Sequence, residues 1–106
     1  MTSIVTVYAV FGSQDEAERI GTAMIEERMA ACVNILAPCR SIYRWKGAIE
    51  QAVEVPALFK TTAANANDLV ARIAALHSYD TPAITVWSIA HAPDSYSAWA
   101  EAETGE

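Results

Sequence analysis

Ala31-Cys32-Val33-Asn34-Ile35-Leu36-Ala37-Pro38-Cys39-Arg40-Ser41-Ile42-Tyr43-Arg44-Trp45-Lys46-Gly47-Ala48-Ile49-Glu50-Gln51-Ala52-Val53-Glu54-Val55-Pro56-Ala57-Leu58-Phe59-Lys60-Thr61-Thr62 reads as two long strands joined by a tight turn at Lys46-Gly47. Glycine supplies the positive φ such a turn needs. Strands usually run about five or six residues. Each arm here reaches roughly a dozen, or about 40 Å at ~3.3 Å per residue. A chain of 106 residues gives a domain about 25–30 Å across. The hairpin therefore overhangs its own domain and carries aromatic and aliphatic side chains outward. Something must cover them, and the simplest cover is another copy of the same chain. Pro38 interrupts the first arm and Pro56 the second, so each marks an edge position or a bulge.

Outward from the hairpin, Ser3 to Phe11 reads as a strand with Ile4, Val5, Val7, Val10 and Phe11 as its bulk. Gly12-Ser13 breaks it, and Ser13 with Glu16 forms a capping box. A helix follows with Ala17, Ile20, Met24 and Ile25 at helical spacing, ending near Met29-Ala30. Beyond the hairpin a second capped helix starts near Asn65, with Leu69, Val70, Ile73 and Leu76 on one face. His77 to Pro82 leads into a strand from Ala83 to Ala90, and Pro93-Asp94 opens a last short helix. The order is βαββαβ plus a C-terminal helix, two βαβ halves joined by the hairpin. Its compact solution is an α+β ferredoxin-like split βαβ sandwich, with helices on one face of an antiparallel sheet. One domain spans residues 1–106, with 101–106 expected as a frayed, solvated tail.

Hydrophobic residues make up 53% of the chain, enough for a core, and the formal charge is −6. An acidic protein does not present the basic surface that nucleic-acid phosphates require, so no nucleic-acid partner is expected. No apolar run approaches the ~20 residues that span a membrane, so no membrane partner is expected either. The two cysteines, Cys32 and Cys39, stand seven apart on one expected arm. That odd spacing puts them on opposite faces and more than about 20 Å apart. Free thiols follow, because a disulfide needs Cα atoms within about 7 Å. Free thiols and the absence of a leader-like start point to a cytoplasmic setting.

Several stretches taken together resemble the CutA divalent-cation tolerance family across nearly the whole chain. They are Ala30-Ala31-Cys32-Val33-Asn34-Ile35, then Ser41 to Gly47 with Ile49-Glu50, then Lys60-Thr61, then His77 with Tyr79 and Pro82. The resemblance implies a ferredoxin-like fold in a tight homotrimer, with hairpins 31–62 pairing across subunits. It also implies a role in divalent-metal tolerance, often discussed as copper binding, with no enzymatic reaction and no organic cofactor. The family is similar in architecture to PII signalling proteins, trimers that bind small effectors in clefts between subunits. Three positions depart from the pattern. Ser78 stands where a proline usually follows the histidine, Ala83 where a glutamate often follows Pro82, and the first strand lacks a cysteine that some members carry.

His77 is the metal candidate, since imidazole is the commonest metal ligand. Its other reading is a helix-end histidine bonding the last carbonyls. Tyr43 and Trp45 lie two apart and share a strand face. They read as the aromatic wall of an intersubunit cleft, with Glu50, Lys60 and Tyr79 as its polar groups, or as interface anchors. Lys60 reads as an anion-binding group or as a lysine whose stem lies on apolar surface. No glycine-rich phosphate loop or catalytic set is present. The expected function is thus a non-enzymatic, trimeric protein of divalent-metal tolerance that binds a metal or small ligand at its clefts. The alternatives are a PII-like effector-sensing module, with Lys60, Arg44 or Arg40 forming an anion pocket, and a purely structural trimer.

Overall fold

The structure is a computed structural model and describes residues 2–105. The first strand, β1 (Ile4–Phe11), carries bulky apolar side chains on both faces and is buried on both, as a central strand must be. Its odd residues Val5, Val7, Ala9 and Phe11 enter the main core. Ile4, on the other face, enters a second cluster with Ala31 and Ala100. α1 (Gln14–Glu26) starts where Ser13 accepts the Glu16 N–H at 3.1 Å. It buries Ala17, Ile20 and Met24 against β1 and its neighbours, each of the larger side chains contributing about 1.5–3 kcal/mol. It ends three residues earlier than its periodicity suggests, because Arg28 takes a left-handed turn at φ 59°.

The hairpin forms three strands: β2 (Cys32–Ile35), β3 (Cys39–Trp45) and β4 (Ala48–Thr62). β4 alone is a 15-residue strand. The first arm is split because Cys32 to Ile35 pairs with Lys60 to Ala57, whereas Cys39 to Trp45 pairs with Glu54 to Ala48. Leu36, Ala37 and Pro38 thus stand opposite only Val55 and Pro56, a bulge of one extra residue. Pro56 lies inside a strand flanked on both sides. Its carbonyl accepts from Leu36 at 3.0 Å, so its missing N–H also faces the bulge, where no ladder bond is lost. The turn is the two-residue kind, with φ 49° at Lys46 and 84° at Gly47, as a type I′ hairpin requires.

α2 (Ala66–Leu76) buries Leu69 and Ile73. Asn65 gives it no side-chain cap; the approach is closed instead by the Asn65 N–H donating to Thr62 Oγ1 at 3.2 Å. β5 (Ile84–Ser88) completes an antiparallel sheet of order β2-β4-β1-β5, with β3 continuing along β4. The result is the ferredoxin-like sandwich, with α1 and α2 over the odd-numbered face of β1. α3 (Asp94–Glu103) closes one end of the opposite face through Ala100 and Tyr96. The expected frayed tail at 101–106 is corrected. The helix runs to Glu103, Thr104 is buried, and Arg28 donates to the carbonyls of Ala102 (2.7 Å) and Gly105 (3.1 Å). Glu106 lies outside the described residues.

β1 stops pairing with β4 at Val55, so residues 48–54 pair only with β3 and project as a two-stranded ribbon. The molecule measures 45 × 26 × 23 Å, and the ribbon accounts for the long axis. The bulge also decides which side chains share its faces. Cys32 pairs with Lys60 and Cys39 with Glu54, so both thiols lie on the even-numbered face of β4. The expectation of opposite faces is therefore corrected. Six residues of β4 still separate the two positions, about 20 Å along the strand, and both cysteines are free.

Candidate functional site

Alternation along the ribbon places Ser41, Tyr43 and Trp45 of β3 on the same face as Glu50 and Glu54 of β4, with Tyr43 directly opposite Glu50. The loop from α2 to β5 comes up against this face. Together they enclose a cleft of about 550 Å³ lined by Tyr43, Trp45, Glu50, Glu54, Tyr79 and Asp80, with Val10 and Ala83 among its apolar walls. The Tyr79 hydroxyl donates to Glu54 Oε2 at 2.8 Å and ties the loop to the ribbon. Burial and that bond to Glu54 push the Tyr79 pKa up to about 12, so the hydroxyl remains a donor throughout the neutral range. Tyr79 approaches so closely because Gly12 lies beneath it: a Cβ there would stand 3.1 Å from the Tyr79 hydroxyl.

Of the expected cleft residues, Tyr43, Trp45, Glu50 and Tyr79 come together around this cavity. Lys60 does not. It lies on the open face of the sheet, opposite Thr6 and Cys32, and donates to Asn34 Oδ1. Arg40 and Arg44 pair with Val53 and Ile49 on the far face of the ribbon. None of the three cations expected for an anion pocket stands at the cleft, and among the described residues no lysine, arginine or histidine lines it.

His77 lies behind Tyr79, and its ring bonds a strand carbonyl instead of the expected last carbonyls of its helix. Its ring is enclosed, stacks on Phe11 at 5.1 Å and meets Tyr79 at 4.8 Å. Nε2–H donates to the Val10 carbonyl at 2.8 Å, and Nδ1 accepts the Tyr79 N–H at 3.0 Å. Both nitrogens are engaged, so neither is free for a metal. The carbonyl it bonds belongs to β1, not to the end of its own helix. Beside it, Glu16 accepts the Gly12 N–H at 3.2 Å and the Ser78 N–H at 2.8 Å. Burial pushes the Glu16 carboxyl up, but the bonds from Ser78 and Gly12 and the nearby His77 outweigh this and hold it below the ordinary value. Glu16 thus staples the turn after β1 to the turn after α2.

Sequence reasoning missed Glu54 and the second role of Glu16. Glu54 was within reach of it, since its spacing of four from Glu50 puts both on one strand face. The reach of Glu16 to Ser78 spans 62 residues and left no local signal. Among the described residues, no three His, Cys, Asp or Glu side chains gather as a metal site. The described residues of one chain therefore do not supply a metal ion with a complete set of protein ligands.

The model of the CutA1 divalent ion tolerance protein family matches residues 5–103. The chain belongs to the CutA1 family. The divalent-cation tolerance protein CutA of Thermus thermophilus is 41% identical over 93 residues, covering 88% of this chain and 90% of that protein. The Thermotoga maritima protein of the same name is 36% identical, covering 91% and 94%. The solved Thermus thermophilus Cut A1 structure superposes with a TM-score of 0.93 at 38% identity, covering 96% of this chain and 99% of that one. CutA from Archaeoglobus fulgidus, with a TM-score of 0.91 at 33% identity and coverage of 94% and 97%, is described as a periplasmic divalent cation tolerance protein. That description overturns the cytoplasmic expectation. Cys32 and Cys39 are unpaired because the strand holds them apart, which is true in any redox setting, so free thiols do not specify a compartment. Among the described residues, no helix is long and apolar enough to cross a membrane.

Proposed function

We propose that this CutA1 protein acts in divalent-cation tolerance as a non-catalytic homotrimer, its hairpin 31–62 lying along a neighbouring copy. The observation that carries the reading is the far face of the ribbon. Ile42 is 62% exposed, and Ile49 and Val53 are each 68% exposed, flanked by Arg40 and Arg44. A two-stranded ribbon is marginal alone in water, and exposed aliphatic side chains interleaved with Arg40, Arg44 and Gln51 suit burial against a partner. Divalent ions are then held weakly where carboxylates of one copy meet donors of another, since one chain lacks a full ligand set. Copper is the expected tightest binder, following the ordinary order of divalent affinities.

Sedimentation of metal-free protein, followed by calorimetric titration with copper(II) and zinc(II), tests this. Three chains per particle and saturable binding at a fixed ratio per particle are the expected results. A monomer at micromolar concentration refutes the assembly, and an intact trimer that takes up neither ion refutes the binding.

A further inference from the structure

We infer that the cleft between the ribbon and the α2–β5 loop binds a linear aliphatic polyamine. This goes beyond divalent-cation tolerance and rests only on reading the cleft as a ligand site. The cavity, at about 550 Å³, falls within the usual range for small-molecule sites. Its walls combine the rings of Tyr43, Trp45 and Tyr79 with the carboxylates of Glu50, Glu54 and Asp80. Aromatic faces attract ammonium groups, and carboxylates pair with them. The chain's own Lys46 places its ammonium 5.8 Å from the centroid of the Trp45 ring, which shows that this ring accepts an alkylammonium.

Glu54 supplies the second argument. It is only 9% exposed, and its Oε2 is held by Tyr79. Among the described residues no donor reaches its Oε1, and the side chain lines the cleft. Among the described residues no buried side-chain oxygen lacks a partner, so Oε1 is open to solvent from the cleft, where the ammonium of a ligand can take the place of water.

Spacing selects the class of cation. Glu50 and Glu54 are four residues apart on β4, about 13 Å along the strand. A single divalent ion bonds its oxygens at about 2.0–2.6 Å and does not bridge that separation. A flexible chain with ammonium groups several methylenes apart does, laying its methylenes on Tyr43, Val10 and Ala83. Among the described residues no lysine, arginine or histidine lines the cleft, so no cation of the lining itself pairs with these carboxylates.

Calorimetric titration of the assembled, metal-free protein with spermine, spermidine and putrescine tests the inference, with magnesium chloride at matched ionic strength as the screening control. The expected result is saturable binding, one per chain, with spermine at least tenfold tighter than putrescine. Glu50→Gln and Glu54→Gln should each weaken spermine by about tenfold or more, the scale of one charge-assisted contact. Glu50 is solvent-exposed, so its variant folds whatever happens at the buried Glu54. No saturable heat, equal displacement by magnesium, or unchanged affinity in the Glu50→Gln variant overturns the polyamine site. The copper and zinc titrations read the divalent proposal separately, so either can fail alone.

Discussion

His77→Ala separates a structural histidine from a metal ligand. The substitution empties a fully enclosed site between Phe11 and Tyr79. It also strands the Val10 carbonyl and the Tyr79 N–H, which the ring bonds at 2.8 and 3.0 Å. Truncating a buried aromatic ring costs about 3–5 kcal/mol. A lost hydrogen bond adds about 1 kcal/mol where water cannot replace it, as for Val10; Tyr79 lies nearer the surface, and water can take its N–H. The total of roughly 4–6 kcal/mol lowers Tm by at least about 15–25 °C for a domain of this length. Thermal unfolding is followed by circular dichroism at matched protomer concentration, because association raises apparent stability. His77→Gln retains a donor for Val10 and should recover part of the loss. Copper and zinc affinities should stay within twofold of wild type for whichever variant remains folded. A His77→Ala protein whose Tm moves by less than about 2 °C, with copper affinity reduced tenfold or more, would refute the structural assignment.

Replacing Ile49 and Val53 together by aspartate should dissociate the assembly while leaving far-UV circular dichroism unchanged; an unchanged sedimentation coefficient would remove the ribbon from the interface. Glu16→Gln should flatten the acid limb of the stability curve. The carboxyl titrates below its ordinary 4.5 in the fold, so the unfolded chain takes the proton first and wild-type stability falls as pH drops below about 4.5. An acid limb of unchanged slope in the variant would count against the Glu16 staple. Gly12→Ala should push Tyr79 away from Glu54, since the new methyl meets its hydroxyl and Cε1 at 3.1 and 3.3 Å. The tyrosine that titrates at about 12 should then move towards 10 in ultraviolet titration, with Tyr79→Phe identifying the band; an unmoved band would contradict the close packing.

The element order was legible because its signals are local. Ser13 with Glu16, the glycine of Lys46-Gly47 and the alternation along Ala48 to Thr62 each act within a few residues. Four members of the cleft were legible for a related reason, since Tyr43, Trp45 and Glu50 follow strand alternation and Tyr79 stands in a recognisable family stretch. What stayed hidden depends on contacts between distant residues. Nothing near His77 announces that its ring bonds Val10, and nothing near Lys60 announces that Asn34 holds it on another surface. The tail looked solvated because its own composition is acidic and small. Its anchor is Arg28, more than seventy residues earlier in the chain.

The bulge opposite Pro56 links these observations to function. Were Leu36, Ala37 and Pro38 all to pair in a continuous ladder instead of bulging, the register that pairs Cys32 with Lys60 would run on and place Tyr43 opposite Ile49. Tyr43 and Trp45 would then share a face with the apolar side chains, and Ile42 and Arg44 would share one with the carboxylates. The observed shift pairs Tyr43 with Glu50 instead. One ribbon thereby carries aromatic rings and acids on one face, and Ile42, Ile49 and Val53 on the other. Deleting Ala37 removes the bulge without moving the faces, since two residues then stand opposite Val55 and Pro56 and Tyr43 stays opposite Glu50. With the register kept, assembly and spermine binding are both expected to survive the deletion. Loss of both would show that the bulge itself, and not the register it sets, supports the two faces.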